Sequence, residues 1–182
     1  MTTLAFIDDE INILYSIKRL LRKKEWTLLT FVTPEEALAE LKGRTDIDII
    51  VSDYRMPVMN GVDMLKIMKH DCPGALRIIL SGHADLQGIL QAVNQAEIYR
   101  FITKPWIDED FIITLENAIQ YHALAQENLR LSLMVRQQQG RINKQLNELK
   151  RLESESPGIT HVAWDDDGSI DISDEFGEEL EN

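Results

Sequence analysis

The chain has 182 residues, a formal net charge of −12 and 44% hydrophobic residues. This length suits one domain plus an extension, and the hydrophobic content supports a packed core. The negative charge argues against binding to nucleic acid, which needs clustered Lys and Arg. The single cysteine excludes an internal disulfide, and no apolar run approaches the length of a membrane span. We therefore expect a soluble, cytoplasmic protein that binds neither nucleic acid nor membrane.

Short apolar segments alternate with amphipathic helical segments along the first two thirds of the chain. The predicted strands are Leu4–Ile7, Trp26–Val32, Ile47–Val51, Leu76–Leu80 and Ile98–Ile102. Each is followed by helical spacing of apolar residues or by helix-start signals, including a helix that begins at Asp85. Five strand–helix units predict an α/β fold with a five-stranded, doubly wound parallel sheet over residues 1–122.

Asp53 follows the third predicted strand, Ile47–Val51. Its β-branched apolar run is typical of a strand that is covered on both faces. Met56-Pro57 and Asn60-Gly61 then predict a loop, because proline fixes φ and an Asn-Gly pair tolerates positive φ. Ligands of open α/β sheets bind outside the carboxyl ends of the strands, where Asp53 lies. A single aspartate could also cap a loop, so its interpretation depends on the other strand ends.

Polar residues follow three other predicted strands and would meet at the same edge of the sheet. Asp8 and Asp9 follow the first strand, Ser81 the fourth and Lys104 the fifth. Together with Asp53, they form a cluster of carboxylates that needs a cation, and Mg²⁺ prefers such hard oxygen ligands. A lysine and a hydroxyl could hold the remaining oxygens of a transferred phosphoryl group. The pattern therefore predicts phosphorylation of a carboxylate.

These motifs resemble the receiver (CheY-like) domain of bacterial two-component response regulators. The resemblance rests on Asp8-Asp9, on SDYRMPVMNG around Asp53, on Ser81-Gly82 and on Lys104-Pro105, each closing an apolar strand in the same order. It implies a flavodoxin-like receiver fold. It also implies that a sensor histidine kinase or a phosphotransfer protein supplies the phosphoryl group. Such a protein is no enzyme beyond its own phosphorylation and dephosphorylation.

The resemblance implies a role for each acidic position. Asp53 would be the phosphoacceptor, and Asp8 and Asp9 would hold Mg²⁺, with Asp9 as the more direct ligand. Asp53 itself and the backbone carbonyl of Arg55 would complete the protein ligands of the metal.

The resemblance also assigns the residues that respond to the phosphoryl group. Ser81 would turn its hydroxyl toward that group, and Lys104 would be its cationic partner. Phe101 occupies the aromatic switch position, and its ring would move inward when Ser81 moves. The Lys104–Pro105 peptide is usually cis in this family, which agrees with the small trans preference of proline.

The segment Ile98–Trp106 is similar to receivers that precede HD-GYP cyclic-di-GMP phosphodiesterase domains. The metal-binding histidines and the signature of that output domain are absent from the sequence. A helix-turn-helix and a basic recognition helix are absent as well. We therefore expect neither a phosphodiesterase nor a transcription factor.

The last predicted helix continues past the receiver, from Asp108 to about Glu155, without proline. Apolar residues recur there at three- and four-residue spacing, which predicts a helical extension over residues 123–155 that pairs two chains as a coiled coil. The polar run Gln137–Gln139 interrupts this seam. Gly140 is a candidate break between two helical segments, because glycine disfavours a helix interior by roughly 1 kcal/mol.

Residues 156–182, called the acidic tail below, contain nine Asp and Glu residues and no Lys or Arg. Segments 159–164 and 169–172 flank an Asp167-Gly168 turn signal and are compatible with a β-hairpin. A tail of this composition is either solvated or contacts a basic partner.

Two outputs remain open. A response regulator would signal through protein contacts of its receiver face and long helix, as a homodimer with a downstream effector protein. Alternatively, the chain is a phosphorelay carrier or a phosphate sink. The long helix favours the first function, because a relay carrier needs none.

Overall fold

The computed structural model describes residues 2–82 and 96–156. Five parallel strands form one sheet in the order β2-β1-β3-β4-β5. The strands are β1 (Thr2–Ile7), β2 (Trp26–Phe31), β3 (Ile49–Asp53), β4 (Leu76–Gly82) and β5 (Ile98–Lys104). The described helices are α1 (Ile11–Leu21), α2 (Pro34–Leu41), α3 (Gly61–Asp71) and α4 (Asp108–Glu155). The predicted doubly wound sheet is confirmed. The helix expected from Asp85 and the tail hairpin lie outside the described residues.

Buried apolar side chains cover both faces of the sheet. One cluster joins Ile50 of β3 to Leu41 of α2 and Leu65 of α3. The other joins Val51 of β3 to side chains of α1 and α4, including Leu14, Phe111 and Leu115. Ile50 and Val51 belong to opposite clusters because consecutive side chains of a strand point to opposite faces. This double coverage explains why the strands have continuous apolar runs rather than an alternating pattern.

Strand β3 begins and ends two residues later than the sequence indicates. The predicted strand ends at Val51 because polar residues follow it in the sequence. In the structure, Ser52 and Asp53 continue the pairing with β4, and Asp53 lies opposite Leu80. Both polar residues are buried. Asp53 is therefore the last residue of a central strand, and its position is set by backbone pairing on the β4 side.

The segment between β3 and α3 differs from the loop that the sequence predicts. Asn60 and Gly61 do not supply a positive φ. Asn60 is the N-cap of α3, and its side chain accepts a hydrogen bond from the backbone N–H of Asp63 at 2.9 Å. Gly61 is the first residue of that helix. The left-handed residue of this segment is Val58, at φ 68°, whose side chain is 95% exposed.

Helix α4 is continuous through Gly140, so the predicted break at this residue is wrong. A Cβ at Gly140 would meet no atom within 4 Å, so helical hydrogen bonding is maintained around a glycine with open surroundings. The chain divides into one compact unit of residues 1–128 and a second that begins at Leu129. In the first unit, α4 buries Phe111, Leu115, Ala118 and His122.

The part of α4 in the second unit exposes most of its large apolar side chains. They include Leu131, Val135, Ile142 and Leu149, each about half exposed or more. Within the described ranges, no helix combines the length and the hydropathy that crossing a membrane requires.

Candidate functional site

Three strand ends bring Asp8, Asp53 and Lys104 together at one edge of the sheet. The Nζ atom of Lys104 donates to Oδ2 of Asp8 at 2.6 Å and lies 2.5 Å from Oδ1 of Asp53. Both carboxyl side chains are almost fully buried, and the lysine side chain is 18% exposed. One ammonium group therefore neutralises parts of two buried carboxylates. The predicted convergence of these strand ends is found in the structure.

The second oxygen of each carboxylate accepts a backbone hydrogen bond. The N–H of Glu10 donates to Oδ1 of Asp8 at 3.0 Å, and the N–H of Arg55 donates to Oδ2 of Asp53 at 2.8 Å. These donors lie two residues beyond their acceptors, just past the ends of β1 and β3. The chain that leaves each strand therefore fixes the orientation of the carboxylate that the strand carries.

Burial and charge act in opposite directions on this cluster. Burial raises the pKa of Asp8 and of Asp53 above the ordinary range, although the hydrogen bonds from Lys104 oppose this shift. The negative charge of Asp9 adds to the upward shift of the pKa of Asp53. Burial alone would lower the pKa of Lys104, but its hydrogen bonds to both carboxylates outweigh burial and raise it. The site thus holds an excess of negative charge, which disfavours full ionisation and attracts a further cation.

The predicted metal ligands differ in their placement. Asp8 and Asp53 are buried in the cluster, whereas Asp9 and Arg55 are exposed beside it. Across residues 2–82 and 96–156, no group of three or more His, Cys, Asp or Glu side chains is arranged as a metal site. The positive charge between Asp8 and Asp53 is that of Lys104.

Ser81 lies at the end of β4, between the strands that carry Asp53 and Lys104. Ser81 pairs in register with Thr103 of β5. The Oγ atom of Ser81 is buried and makes no hydrogen bond within the described part of the chain. A buried hydroxyl without a partner costs free energy, so this atom is available for a group that enters the site.

The predicted switch residue Phe101 lies on β5, three residues before Lys104, with 39% of its surface exposed. The Lys104–Pro105 peptide is cis, as the resemblance implies. Trp106 follows and stacks on Phe111 of α4, with 4.8 Å between ring centroids. The end of β5 is therefore connected directly to the start of α4.

Gly61 belongs to the site, and the sequence analysis missed its role. A Cβ at this position would collide with the backbone carbonyl oxygen of Asp53 and would lie 2.7 Å from Oγ of Ser52. The N–H of Gly61 also donates to the carbonyl of Tyr54 at 3.0 Å. The start of α3 thus packs against the backbone of the candidate phosphoacceptor. An Asn-Gly pair suggests a turn, so this close approach becomes visible only in three dimensions.

Known proteins resemble part of the chain. The hydrogenase transcriptional regulatory protein HoxA of Cupriavidus necator is 35% identical over 134 residues, which make up 74% of this chain and 27% of that protein. The chain spans only about a quarter of the length of the first curated relatives that it matches. The whole-protein activity of those relatives therefore does not transfer with the similarity.

Two solved structures show the same fold, and each match covers nearly all of the solved chain. An uncharacterized protein from Neptuniibacter caesariensis is 41% identical, with a TM-score of 0.66, and the match covers 71% of this chain and 95% of that one. The signal receiver domain of an HD domain-containing protein from Pseudomonas fluorescens Pf-5 is 30% identical, with a TM-score of 0.63, and covers 67% and 97%. The family model of the response regulator receiver domain matches residues 4–116, more than half of the chain. The chain therefore belongs to the response regulator receiver family of two-component signalling.

Proposed function

We propose that Asp53 accepts a phosphoryl group from a histidine of a sensor kinase or of a phosphotransfer protein. The observation that carries this proposal is the contact of one ammonium group, that of Lys104, with both Asp8 and Asp53. It joins the acceptor carboxylate, a second carboxylate and a cation in one buried polar site. This activity concerns the protein's own phosphorylation and dephosphorylation, without turnover of another substrate.

The carboxylates of this site fit Mg²⁺ by their chemistry. Asp8, Asp9, Asp53 and the backbone carbonyl of Arg55 would supply hard oxygen ligands, and the buried pair carries more negative charge than Lys104 neutralises. Bound there, the metal would neutralise the remaining charge and hold phosphoryl oxygens.

Phosphoryl transfer forms a bond between a carboxylate oxygen of Asp53 and phosphorus. The bond between phosphorus and the donor histidine nitrogen breaks, and its electron pair stays on that nitrogen. The ammonium group of Lys104 is placed to pair with an oxygen of the transferred group, because it already contacts Asp53. The hydroxyl of Ser81 would donate to another oxygen, which gives this buried atom its missing partner.

Movement of Ser81 would leave space toward β5, and the ring of Phe101 would turn inward to fill it. The exposed ring of Phe101 corresponds to the state without a phosphoryl group in this proposal. The change shifts a population between two states that differ at the surface of β5 and α4.

Labelling by acetyl phosphate tests the proposed acceptor. The full chain should gain one phosphoryl group in the presence of Mg²⁺, and both Asp53→Asn and EDTA should abolish the gain. Asp46→Asn is the matched control, because Asp46 is an exposed aspartate paired with Arg44 outside the site. Labelling of Asp53→Asn at the rate of the natural chain would refute the assignment.

For the output, we infer that two chains pair through α4 and present a surface to an effector protein. Val135, Ile142 and Leu149 recur every seventh residue, and the continuity of the helix at Gly140 keeps them on one face. Exposed apolar side chains with this period match a coiled-coil seam. The likeness to receivers that precede HD-GYP domains stays a prediction, and one similar structure is the receiver of an HD domain-containing protein.

Light scattering after size exclusion tests the pairing, with and without beryllofluoride as a phosphoryl mimic. Ile142→Glu should give a monomer, whereas Asn147→Glu on another face of the same helix should leave the mass unchanged. A mass or shape that changes only with the mimic would support control of the helix by the receiver. A monomer under every condition would favour the relay carrier or phosphate sink.

A further inference from the structure

Ser52 is a polar residue in an apolar part of the core. It lies on the same face of β3 as Ile50, which packs in the cluster with α2 and α3, and it is fully buried. A buried hydroxyl costs free energy unless it forms a hydrogen bond. The Oγ atom of Ser52 donates to the backbone carbonyl oxygen of Asp53 at 3.0 Å. The hydroxyl therefore acts on the backbone of the proposed phosphoacceptor, and the chemistry described above does not use it.

The peptide group between Asp53 and Tyr54 is hydrogen-bonded at both ends. Its carbonyl oxygen accepts from Ser52, and its N–H donates to the carbonyl of Leu80 in β4 at 2.8 Å. The two ends of a trans peptide point in opposite directions, so the carbonyl faces the β1 side. The pairing of β3 with β1 ends one residue earlier, where Ser52 lies opposite Ile7. The serine hydroxyl thus holds the peptide group on the side where strand pairing has ended.

The next peptide group, between Tyr54 and Arg55, is also held at both ends. Its carbonyl oxygen accepts from the N–H of Gly61 at 3.0 Å, and its N–H donates to Oδ2 of Asp53 at 2.8 Å. Two consecutive planar groups therefore connect the hydroxyl of Ser52 to the acceptor carboxylate. Because each plane is rigid, rotation of the first would turn the second and move the N–H of Arg55 away from Oδ2.

The start of α3 encloses the hydrogen bond of Ser52. A Cβ at Gly61 would lie 2.7 Å from Oγ of Ser52 and would collide with the carbonyl oxygen of Asp53. The backbone of Gly61 therefore covers both partners of this hydrogen bond. Loss of the hydroxyl would leave a covered carbonyl without this donor, which weakens the hold on the peptide group.

We propose that Ser52 is a positioning residue for the phosphorylation of Asp53. This inference rests on the proposed function. The hydroxyl fixes the Asp53–Tyr54 peptide so that the N–H of Arg55 holds Oδ2 of the acceptor, while Oδ1 stays beside the ammonium group of Lys104. A carboxylate that is already oriented reacts faster, because the fold has met the entropic cost of orientation. Ser52 should therefore affect the maximal rate of transfer rather than binding of the phosphodonor.

Initial rates of labelling by acetyl phosphate at saturating Mg²⁺ test this role. Ser52→Ala should lower the maximal rate roughly tenfold, the size of effect expected for loss of one buried hydrogen bond. The acetyl phosphate concentration that gives half of the maximal rate should stay the same. A maximal rate equal to that of the natural chain would overturn the proposal.

A matched pair of variants separates the hydroxyl from its bulk. Ser52→Thr and Ser52→Val add nearly the same volume to a buried position, but only threonine keeps the hydroxyl. The threonine variant should be labelled roughly ten times faster than the valine variant. Equal rates in this pair would assign the effect to packing and refute the role of the hydroxyl.

Thr33→Ala controls for a general loss of stability. It removes the side-chain cap of α2, in which Oγ1 of Thr33 accepts from the N–H of Glu36 at 3.2 Å, outside the site. This variant should unfold at a lower urea concentration and yet be labelled at a rate within about twofold of the natural chain. A tenfold loss of rate in this control would show that destabilisation alone slows labelling, and the proposal would fall.

Amide hydrogen exchange of Arg55, followed by NMR, tests the positioning without phosphorylation. In Ser52→Ala this exchange should become roughly tenfold faster, because the N–H of Arg55 leaves Oδ2 of Asp53 more often. The N–H of Asp63, which donates to Oδ1 of Asn60 at 2.9 Å, should exchange as before.

The two readouts distinguish failure of this inference from failure of the proposed function. If the natural chain is not labelled, or if Asp53→Asn is labelled equally well, the proposed function fails and the role of Ser52 fails with it. If labelling requires Asp53 but Ser52→Ala leaves the exchange of Arg55 unchanged, only the inference about Ser52 is refuted.

Discussion

The Nζ atom of Lys104 lies 2.5 Å from Oδ1 of Asp53, although β4 separates the strands that carry these residues. A long side chain at the end of β5 therefore reaches across one strand to the end of β3. The same ammonium group also contacts Asp8, which follows β1. Three strand ends are joined electrostatically at the site where we propose phosphoryl transfer, so function and stability are coupled there.

Replacement of Lys104 should expose this coupling. Lys104→Ala leaves Asp8 and Asp53 without their shared cation, and loss of one partner of a buried ion pair costs on the order of 3 kcal/mol. We expect a decrease of that size in the free energy of unfolding, measured by urea denaturation in EDTA. Addition of Mg²⁺ should recover part of it.

Lys42→Ala, which removes an exposed lysine after α2, should change the stability little in either buffer. If Lys104→Ala lost no more stability than this control, the ion pairs with Asp8 and Asp53 would have no energetic role.

Removal of the Asp53 charge should stabilise the fold. Burial raises the pKa of Asp53, so the folded state favours its neutral form, and an ionised carboxylate at neutral pH weakens the fold. Asp53→Asn should therefore unfold at a higher urea concentration than the natural chain at pH 7, in EDTA. The single amide oxygen can accept from only one of the two donors that face the carboxylate, the N–H of Arg55 or the ammonium group of Lys104, so the lost hydrogen bond reduces the gain.

The gain in stability expected for Asp53→Asn should become smaller as the pH falls. As the pH falls through the raised pKa of folded Asp53 toward its ordinary value of 3.8, the natural chain takes up the proton and recovers stability. The advantage of Asp53→Asn should shrink over that interval. A gain that grows on acidification would contradict the raised pKa.

Replacement by alanine should have opposite effects on stability at Gly61 and Gly140. Gly61→Ala places a Cβ against the backbone carbonyl of Asp53, where overpacking costs roughly 1–3 kcal/mol and displaces the acceptor. Gly140→Ala has open space and should favour the helix by about 1 kcal/mol. Thermal unfolding followed by circular dichroism, together with acetyl phosphate labelling, measures both effects. Full labelling of Gly61→Ala would show that the close approach is not required.

Replacement of Val58 by glycine should stabilise the fold. Its φ of 68° places a β-branched residue in the left-handed region, which costs L-residues about 1–2 kcal/mol, and its exposed side chain offers little packing in return. Val58→Gly should raise the free energy of unfolding by about 1 kcal/mol, part of the relief being lost to greater freedom of the unfolded chain. Val58→Ala keeps a Cβ and should gain much less. Equal gains for both variants would argue against backbone strain at this position.

His122 should stabilise the edge of the sheet opposite the phosphorylation site. Its Nε2 donates to the carbonyl of Gly74 at 2.8 Å, and its Nδ1 lies 3.2 Å from Oδ1 of Asp48, whose other oxygen accepts from the N–H of Thr3. His122→Ala should lower the free energy of unfolding by about 1–2 kcal/mol, because it removes a buried ring together with its hydrogen bond to Gly74 and its contact with Asp48. Gln126→Ala, an exposed neighbour on the same helix, should stay within about 0.5 kcal/mol. Similar losses in both variants would assign the effect to the helix rather than to the His122 contacts.

Much of the fold could be read from local pattern. The five apolar runs and the helical spacing between them describe interactions between near neighbours, and residues 2–82 and 96–156 form the corresponding strands and helices. The convergence of Asp8, Asp53 and Lys104 was also predictable, because parallel strands place their carboxyl ends at one edge. The carboxyl end of β3 was not predictable from the sequence, because it depends on the pairing of Ser52 and Asp53 with β4.

The sequence by itself determined the order of strands and helices, the identity of the charged residues at the strand ends and the membership of the receiver family. The tertiary structure alone decided which atoms meet there. It showed that Lys104 bridges two carboxylates and that Gly61 packs on the backbone of Asp53. It also showed that the buried hydroxyl of Ser81 has no hydrogen-bond partner among the described residues. Patterns in a sequence indicate burial and local conformation. The contacts of Lys104 join residues that lie far apart in the chain, and the contact of Gly61 depends on a backbone approach too close for a Cβ atom.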